Sequence, residues 1–203
     1  MTDTNIGVIV LAAGLSSRMG LFKLLLKWLD DQPLLAHVVE KVTALPVAPV
    51  VVVTGHRADA VRAALTGFDV TFAHNPDYAD GEILSSMKVG LRAMPETVAA
   101  VMVVPGDMPR ISQEVMQQVL NAHAPATIVA PQYAGERGHP VLFDRHFWQA
   151  LLDLPPDGMP RDVLRANKDS IRLIDVSSDG ILADVDTPET YERELRRAQN
   201  NEV

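Results

Sequence analysis

The run Ile6-Gly7-Val8-Ile9-Val10-Leu11 passes directly into Ala12-Ala13-Gly14-Leu15-Ser16-Ser17-Arg18-Met19-Gly20 and then Leu21-Phe22-Lys23, and no other stretch restricts the fold as strongly. An uncharged, β-branched run of this length suits a strand buried on both faces, as in a parallel sheet. The small residues after it allow several backbone N–H groups to converge on an anion, because little side-chain bulk blocks the approach. Arg18 and Lys23 then add full charges to those partial ones, the first as a planar fork and the second as a point charge. The loop contains no G-x-G-x-x-G, and neither of its glycines is followed by Lys-Ser/Thr. The dinucleotide fingerprint and the Walker loop are therefore both excluded.

Strand and helix patterns alternate beyond this point. Leu24-Leu25-Leu26 and Trp28 read as a short extended stretch, and Asp30-Asp31-Gln32 as a polar turn. Pro33 opens a helix with Leu34, Leu35, Val38, Val39 and Val42 at helical spacing. Strands are expected at 50–54, 70–73, 98–104, 127–130, 140–143 and 171–176, with a loop at 131–138. Helices are expected around Val61, Ala64 and Leu65, from Ile83 through Leu91, and at 114–123, 147–152, 162–166 and 189–197, before a polar tail at 198–203. Such alternation predicts an α/β fold, a mostly parallel sheet with helices on both faces. A chain of 203 residues, 47% hydrophobic, fits one domain spanning 1–203.

Charge and composition exclude several classes of function. A formal net charge of −8 argues against a nucleic-acid or anionic-membrane partner, so a polyanionic substrate requires a local basic pocket. With no cysteine, disulfides, thiolate nucleophiles and cysteine-bound metals are absent. The Met1-Thr2-Asp3-Thr4-Asn5 start lacks the basic segment of a signal peptide, and no apolar run reaches membrane-spanning length. The expected compartment is the cytoplasm.

Ligands of open parallel sheets gather beyond the carboxyl ends of the strands, and four informative stretches fall there: the 13–23 loop, Asn75, Asp107 and Asp186. Asp107 ends an apolar strand and suits Mg²⁺, which takes one or two carboxylates with phosphate oxygens and water; its alternative is to cap the next helix. Asp186 is a ligand or part of a helix start at Asp186-Thr187-Pro188. His139, in Gly138-His139-Pro140, faces an anionic acceptor or bonds to backbone. Arg161 is a phosphate contact or a solvated helix-start residue. Ser85 and Ser86 either satisfy helix-start donors or hold a ligand.

Leu11-Ala12-Ala13-Gly14-x-Ser16-x-Arg18-Met19-Gly20-x-x-Lys23 resembles the nucleotide-binding signature of the molybdopterin nucleotidyltransferases. The similarity continues in order through Asn75-Pro76-Asp77-Tyr78, Ser85-Ser86-Met87-Lys88-Val89-Gly90, Gly106-Asp107-Met108-Pro109, Arg137-Gly138-His139-Pro140-Val141-Leu142-Phe143 and Asp184-Val185-Asp186-Thr187-Pro188-Glu189. Ala12-Ala13-Gly14, the Gly-His-Pro-Val-Leu-Phe stretch and Pro33-Leu34-Leu35 are similar to the cytidylyltransferase branch. The resemblance implies a Rossmann-like three-layer nucleotidyltransferase fold. It also implies transfer of CMP from CTP to the terminal phosphate of molybdenum-loaded molybdopterin, releasing pyrophosphate, with a client molybdoenzyme as a further partner. It places Arg18 and Lys23 on the triphosphate, Asp107 on Mg²⁺ or Mn²⁺, and Asp186 as a second metal ligand. The expected binding set is Leu11, Ala12, Ala13, Gly14, Ser16, Asn75, Ser85, Ser86 and His139. Alternatives are guanylyl transfer to the same pterin, nucleotidyl transfer to a phosphorylated sugar or alcohol, and a non-catalytic cofactor-delivery protein. The sequence departs from its relatives at Gly81-Glu82-Ile83-Leu84, which sets an acid near the expected base and ribose pocket.

Overall fold

The computed structural model describes residues 5–79 and 83–200. The departure at Gly81-Glu82 and the end of the polar tail lie outside the described residues. The strands are β1 (Ile6–Ala12), β2 (Val50–Thr54), β3 (Thr71–His74), β4 (Ala100–Pro105), β5 (Ile128–Tyr133), β6 (Glu136–Arg137), β7 (Val141–Asp144) and β8 (Ile171–Asp175). They join in one sheet of order β3-β2-β1-β4-β7-β5-β6, with β8 paired to β5. β1 runs parallel to both β2 and β4, β2 to β3, and β5 to β8. β7 is antiparallel to β4 and β5, which makes the sheet mixed but mostly parallel.

Side chains alternate across a strand, so the apolar runs feed two separate cores. Val8, Val10, Val52, Met102 and Val104 enter one cluster, while Ile9, Val51, Val53, Val101 and Val103 enter the other. The helices α1 (Leu34–Thr43), α2 (Ala58–Ala64), α3 (Ile83–Ala93), α4 (Gln113–Asn121), α5 (Trp148–Asp153), α6 (Pro160–Ala166) and α7 (Pro188–Gln199) divide between these faces. α1, α2 and α4 bury Leu35, Val61 and Met116 in the first cluster, and α7 packs Leu195 against it. α3, α5 and α6 bury Met87, Leu151 and Val163 in the second. Three layers result, as the alternation of elements predicts. No helix among the described residues is long and apolar enough to cross a membrane.

Close approach, not turn geometry, fixes Gly90: a Cβ there would lie 2.7 Å from Ile9 Cγ2, so only glycine lets α3 sit this near β1. Two local expectations differ from the structure. The Leu24 stretch is a 3-10 turn over Lys23–Leu25, closed by Leu26 N–H donating to the Lys23 carbonyl at 3.1 Å. A strand would have sent neighbouring side chains to opposite faces, whereas Lys23 and Leu24 are both buried. The 131–138 loop is largely a hairpin of β5 and β6, turned by Ala134 (φ 51°) and Gly135 (φ 82°). An alanine in a left-handed conformation gives no sequence signal for such a turn.

On α1, His37 lies beside the Trp28 ring with centroids 6.5 Å apart. Burial, assisted by the charge of Lys41, lowers its pKa from 6.5 to about 4. The unfolded chain therefore takes up a proton below pH 6.5 that the folded chain refuses. Stability is fully present above 6.5 and declines as pH falls toward 4. Discounted for partial exposure, the loss is about 1–2 kcal/mol. His37→Gln is expected to flatten that part of the pH profile in urea titrations run at successive pH values; an unaltered slope would remove His37 as its source.

Candidate active site

The site is assembled where β1 and β4 end. Leu11 pairs with Pro105, and Gly106 N–H donates to the Leu11 carbonyl at 2.9 Å. A Cβ on Gly106 would lie 2.7 Å from that same oxygen, so the glycine is what lets the chain pass β1 and present Asp107. The Asp107 carbonyl accepts from Val185 N–H at 3.0 Å, which brings the 184–186 segment alongside. On the other wall the 13–23 loop curls back on itself: Ser16 adopts φ 56°, its carbonyl accepts from Met19 N–H at 3.0 Å, and its Oγ accepts from Lys23 N–H at 3.3 Å.

These contacts bring the charged groups together. Lys23 Nζ donates to Asp107 Oδ2 and to Asp186 Oδ1, each at 2.6 Å, and Arg18 Nη2 pairs with Asp186 Oδ2 at 2.6 Å. Neither aspartate is a helix cap. Ser112 caps α4 and Thr187 caps α7, so both carboxylates are left for the cleft. A cavity of 370 Å³ lies above them, lined by Leu11, Gly14, Ser16, Arg18, Lys23 and both aspartates. A Cβ on Gly14 would meet nothing within 4 Å, so this glycine leaves open space at the cavity wall.

The remaining residues of the expected set divide among this cleft, neighbouring hollows and the core. Leu11, Ala13 and Gly14 also line an adjoining cavity of 230 Å³ with Tyr78, Ile83, Ser86 and Asp107. Ala12 is 1% exposed and belongs to the core. Asn75 is fully buried: its Nδ2 donates to Ser85 Oγ at 2.9 Å and Ser86 Oγ at 3.0 Å, and its Oδ1 accepts from Asp77 N–H. It therefore sets the two serines rather than facing the cleft. Ser85 opens onto a different hollow, shared with Asp77, Lys88 and Arg92. His139 lines a further cavity of 290 Å³ together with Met87, Phe143, Arg137 and Arg161, and Ile83 borders both this cavity and the one beside Gly14. The His139 backbone N–H donates to the Ile181 carbonyl, while its buried Nδ1 has no partner.

Asp184 lines the same 370 Å³ cavity, yet sequence reasoning did not select it. Its spacing of two residues before Asp186 was the available signal. Burial, reinforced by the charges of Asp186 and Asp107, holds its carboxyl above the usual 3.8. Burial acts to lower Lys23, but the adjacent carboxylates of Asp107 and Asp186 outweigh it and hold the ammonium above 10.5. Paired with these carboxylates, Lys23 is cationic at neutral pH. Burial lowers His139 from 6.5 despite the opposing charge of Asp107, so its ring is neutral at pH 7.

The donor set suits a hard divalent cation supplied together with a phosphate ligand. Asp107 and Asp186 present carboxylate oxygens around one point of positive charge, the Lys23 ammonium. Among the described residues no group of three His, Asp or Glu side chains forms a self-sufficient metal cage. Mg²⁺ and similar ions in nucleotide sites need only one or two protein carboxylates, the rest of the shell being phosphate and water.

A mostly parallel sheet with a cationic glycine loop, one carboxylate just past β4 and a second just before α7 has the make-up of a nucleotide-handling α/β protein. The model of the MobA-like NTP transferase domain matches residues 8–171, and the chain belongs to that family. It is 28% identical over 188 residues to the molybdenum cofactor cytidylyltransferase of Escherichia coli K12, covering 92% of this chain and 93% of that one. Among solved structures, Rv0371c from Mycobacterium tuberculosis H37Rv superposes with a TM-score of 0.84 at 26% identity, covering 96% of this chain and 100% of the other. A second structure of that protein contains manganese and superposes at 0.77 with 27% identity, covering 95% and 99%. A CMP:2-keto-3-deoxy-manno-octonic acid synthetase in complex with CTP shares the fold, with TM-score 0.77, 17% identity and 97% and 99% coverage.

Proposed function

We propose that the whole chain forms one nucleotidyltransferase unit that transfers CMP from CTP to the terminal phosphate of molybdenum-loaded molybdopterin and releases pyrophosphate. The observation that carries this reading is the meeting of Arg18, Lys23, Asp107 and Asp186 at the mouth of the 13–23 loop, beside a cavity that shares the wall residue Ile83 with the pocket around His139. Family membership and the Escherichia coli relative, which covers nearly the same length, support the choice of reaction.

The transfer brings two anions together, and like charges repel by several kcal/mol in a poorly screened cleft. Neutralisation and alignment therefore supply most of the catalysis. An oxygen of the acceptor phosphate attacks the α-phosphorus of CTP, the α–β bridging bond breaks, and pyrophosphate leaves with that electron pair. The acceptor phosphate is already ionised at neutral pH, so the step needs no general base. Arg18 and Lys23 hold the β- and γ-phosphates and offset the charge growing on the leaving group. Asp107 and Asp186 hold the divalent ion, Mg²⁺ or Mn²⁺, which when bound supplies Lewis-acid charge to the phosphate oxygens. Lys23, now paired to both carboxylates, exchanges them for phosphate oxygens as the nucleotide enters. Leu11, Ala13, Gly14 and Ser86 border the nucleoside. The apolar pocket between Met87 and Phe143, with Arg137 and Arg161 on its wall, suits a flat heterocycle carrying a phosphate.

The test is pyrophosphate release with each nucleoside triphosphate and molybdenum-loaded molybdopterin. CTP is expected to exceed GTP in kcat/KM by about 10-fold or more, the difference that base-edge hydrogen bonds support. Equal use of CTP and GTP would remove the cytidylyl assignment, and tight cofactor binding without pyrophosphate release would replace the reading with a delivery protein.

A further inference from the structure

Arg110 stands three residues past Asp107 and is buried against two carboxylates that the transfer reaction does not use. Its Nη1 donates to Glu194 Oε2 and its Nη2 to Asp179 Oδ1, each at 2.7 Å. Both partners flank the second aspartate of the cleft: Asp179 precedes Asp186, and Glu194 follows it on α7. We propose that Arg110 is a positioning residue for the divalent ion, setting the gap between Asp107 and Asp186 through α7. The proposal rests on the metal role given to those two aspartates above.

The path between the two aspartates is continuous. Asp186 N–H donates to Thr190 Oγ1 at 3.0 Å, so the first turn of α7 holds the backbone of that aspartate. Thr190 and Glu194 are four residues apart on the helix and therefore share a face, one turn from each other. Glu194 then pairs with Arg110, and the chain returns from Arg110 to Asp107 within three residues. The bond from Val185 N–H to the Asp107 carbonyl at 3.0 Å closes the ring. A second tie runs from α7 through Arg197 Nη1, 2.8 Å from Asp179 Oδ2. Beside it the two segments are at closest approach, since a Cβ on Gly180 would lie 2.5 Å from the Arg110 carbonyl oxygen.

The gap has little tolerance. A single atom, Lys23 Nζ, reaches both carboxylates at 2.6 Å, and Mg²⁺ holds its oxygens at about 2.0–2.1 Å in near-ideal octahedral geometry. Apolar burial is non-directional and would keep α7 in place without fixing its register. Two short charge-assisted bonds from one planar fork fix distance and angle together. An apolar pair of equal volume would be as stable as the buried ions, so what the ions add here is geometry.

The test compares the full chain with its Arg110→Met/Glu194→Leu double variant, in which an apolar pair replaces the charges. Urea denaturation matches the two for stability. Electron paramagnetic resonance then reads Mn²⁺ affinity in the presence of a non-hydrolysable CTP analogue, and amide hydrogen exchange is followed on the metal-free proteins. Mn²⁺ affinity is expected to fall about 10-fold or more, the scale on which partners that orient metal ligands act. The Val185 amide is expected to exchange about 10-fold faster while the amides of β1 and β4 keep their parent rates. Thr190→Val breaks the same path at its Asp186 end without touching the charges; it is expected to weaken Mn²⁺ by a similar factor and serves should the double variant fold poorly. Unchanged Mn²⁺ affinity in a folded variant, or faster exchange spread over the whole sheet, would overturn the inference and leave the metal role of the aspartates standing. Absence of Mn²⁺ binding by the parent chain would overturn both.

Discussion

Asp107→Asn is expected to lower pyrophosphate release about 10³-fold or more, the scale on which loss of a metal-holding or charge-stabilising group acts. The carboxylate bonds Lys23 Nζ at 2.6 Å and its side chain is only 26% exposed. It also sits at the one point where β4, the 13–23 loop and the 184–186 segment meet. Asparagine keeps the volume and can still accept a hydrogen bond, but it removes the charge that a divalent ion requires. The fold should survive, since the backbone bonds from Gly106 to Leu11 and from Val185 to Asp107 do not involve the side chain. The measurement is turnover with CTP and acceptor beside a urea denaturation curve. Near-normal pyrophosphate release would refute the metal role; loss of cooperative unfolding would show that the residue is structural.

Arg110→Met should produce the largest loss of stability. The Arg110 side chain is 4% exposed and pairs with Glu194, itself 2% exposed, and with Asp179. Glu194 is carried by α7, so this pair ties α7 to the segment after Asp107. Removing the arginine leaves a buried carboxylate short of its main partner, and breaking such a pair costs about 3–5 kcal/mol. Arg193 Nε remains at 2.6 Å from Glu194, so the lower end, about 3 kcal/mol, is expected. Chemical denaturation gives the value directly. A double variant that also carries Glu194→Leu should recover most of the loss, because an apolar pair of similar volume replaces the stranded charge. No recovery would mean that the arginine acts through packing alone.

Where sequence and structure agree, the reason is periodicity. The uncharged runs at β1, β2 and β4 have no polar face, so burial on both sides was their only stable use, and helices on both faces followed. That Arg18, Lys23, Asp107 and Asp186 meet was suggested by local signals of different kinds: Asp107 follows Gly106 just past the end of β4, where a charge has no role in a core, Arg18 and Lys23 belong to the loop after β1, and Asp186 precedes the Thr187-Pro188 helix start. Local conformation was less legible. The 3-10 turn at Lys23 closes on its own backbone, and the partners of its side chain, Asp107 and Asp186, lie far away in sequence, so no nearby residue announces the pairing. Asn75 is in the right neighbourhood, but its complete burial and its bonds to Ser85 and Ser86 arise only when β3 and α3 pack. Arg161 lies far from His139 in sequence, and only the packing of α6 sets both on one pocket.

The central claim is that Asp107 and Asp186 exchange the Lys23 ammonium for a divalent ion when a triphosphate enters. A crystal structure with Mn²⁺ and a non-hydrolysable CTP analogue, with manganese located by anomalous scattering, tests it most directly. The account predicts manganese bound to Asp107 and Asp186, with Lys23 Nζ moved onto a phosphate oxygen. Manganese bound elsewhere, or Lys23 still locked between both carboxylates with the nucleotide in place, would contradict it.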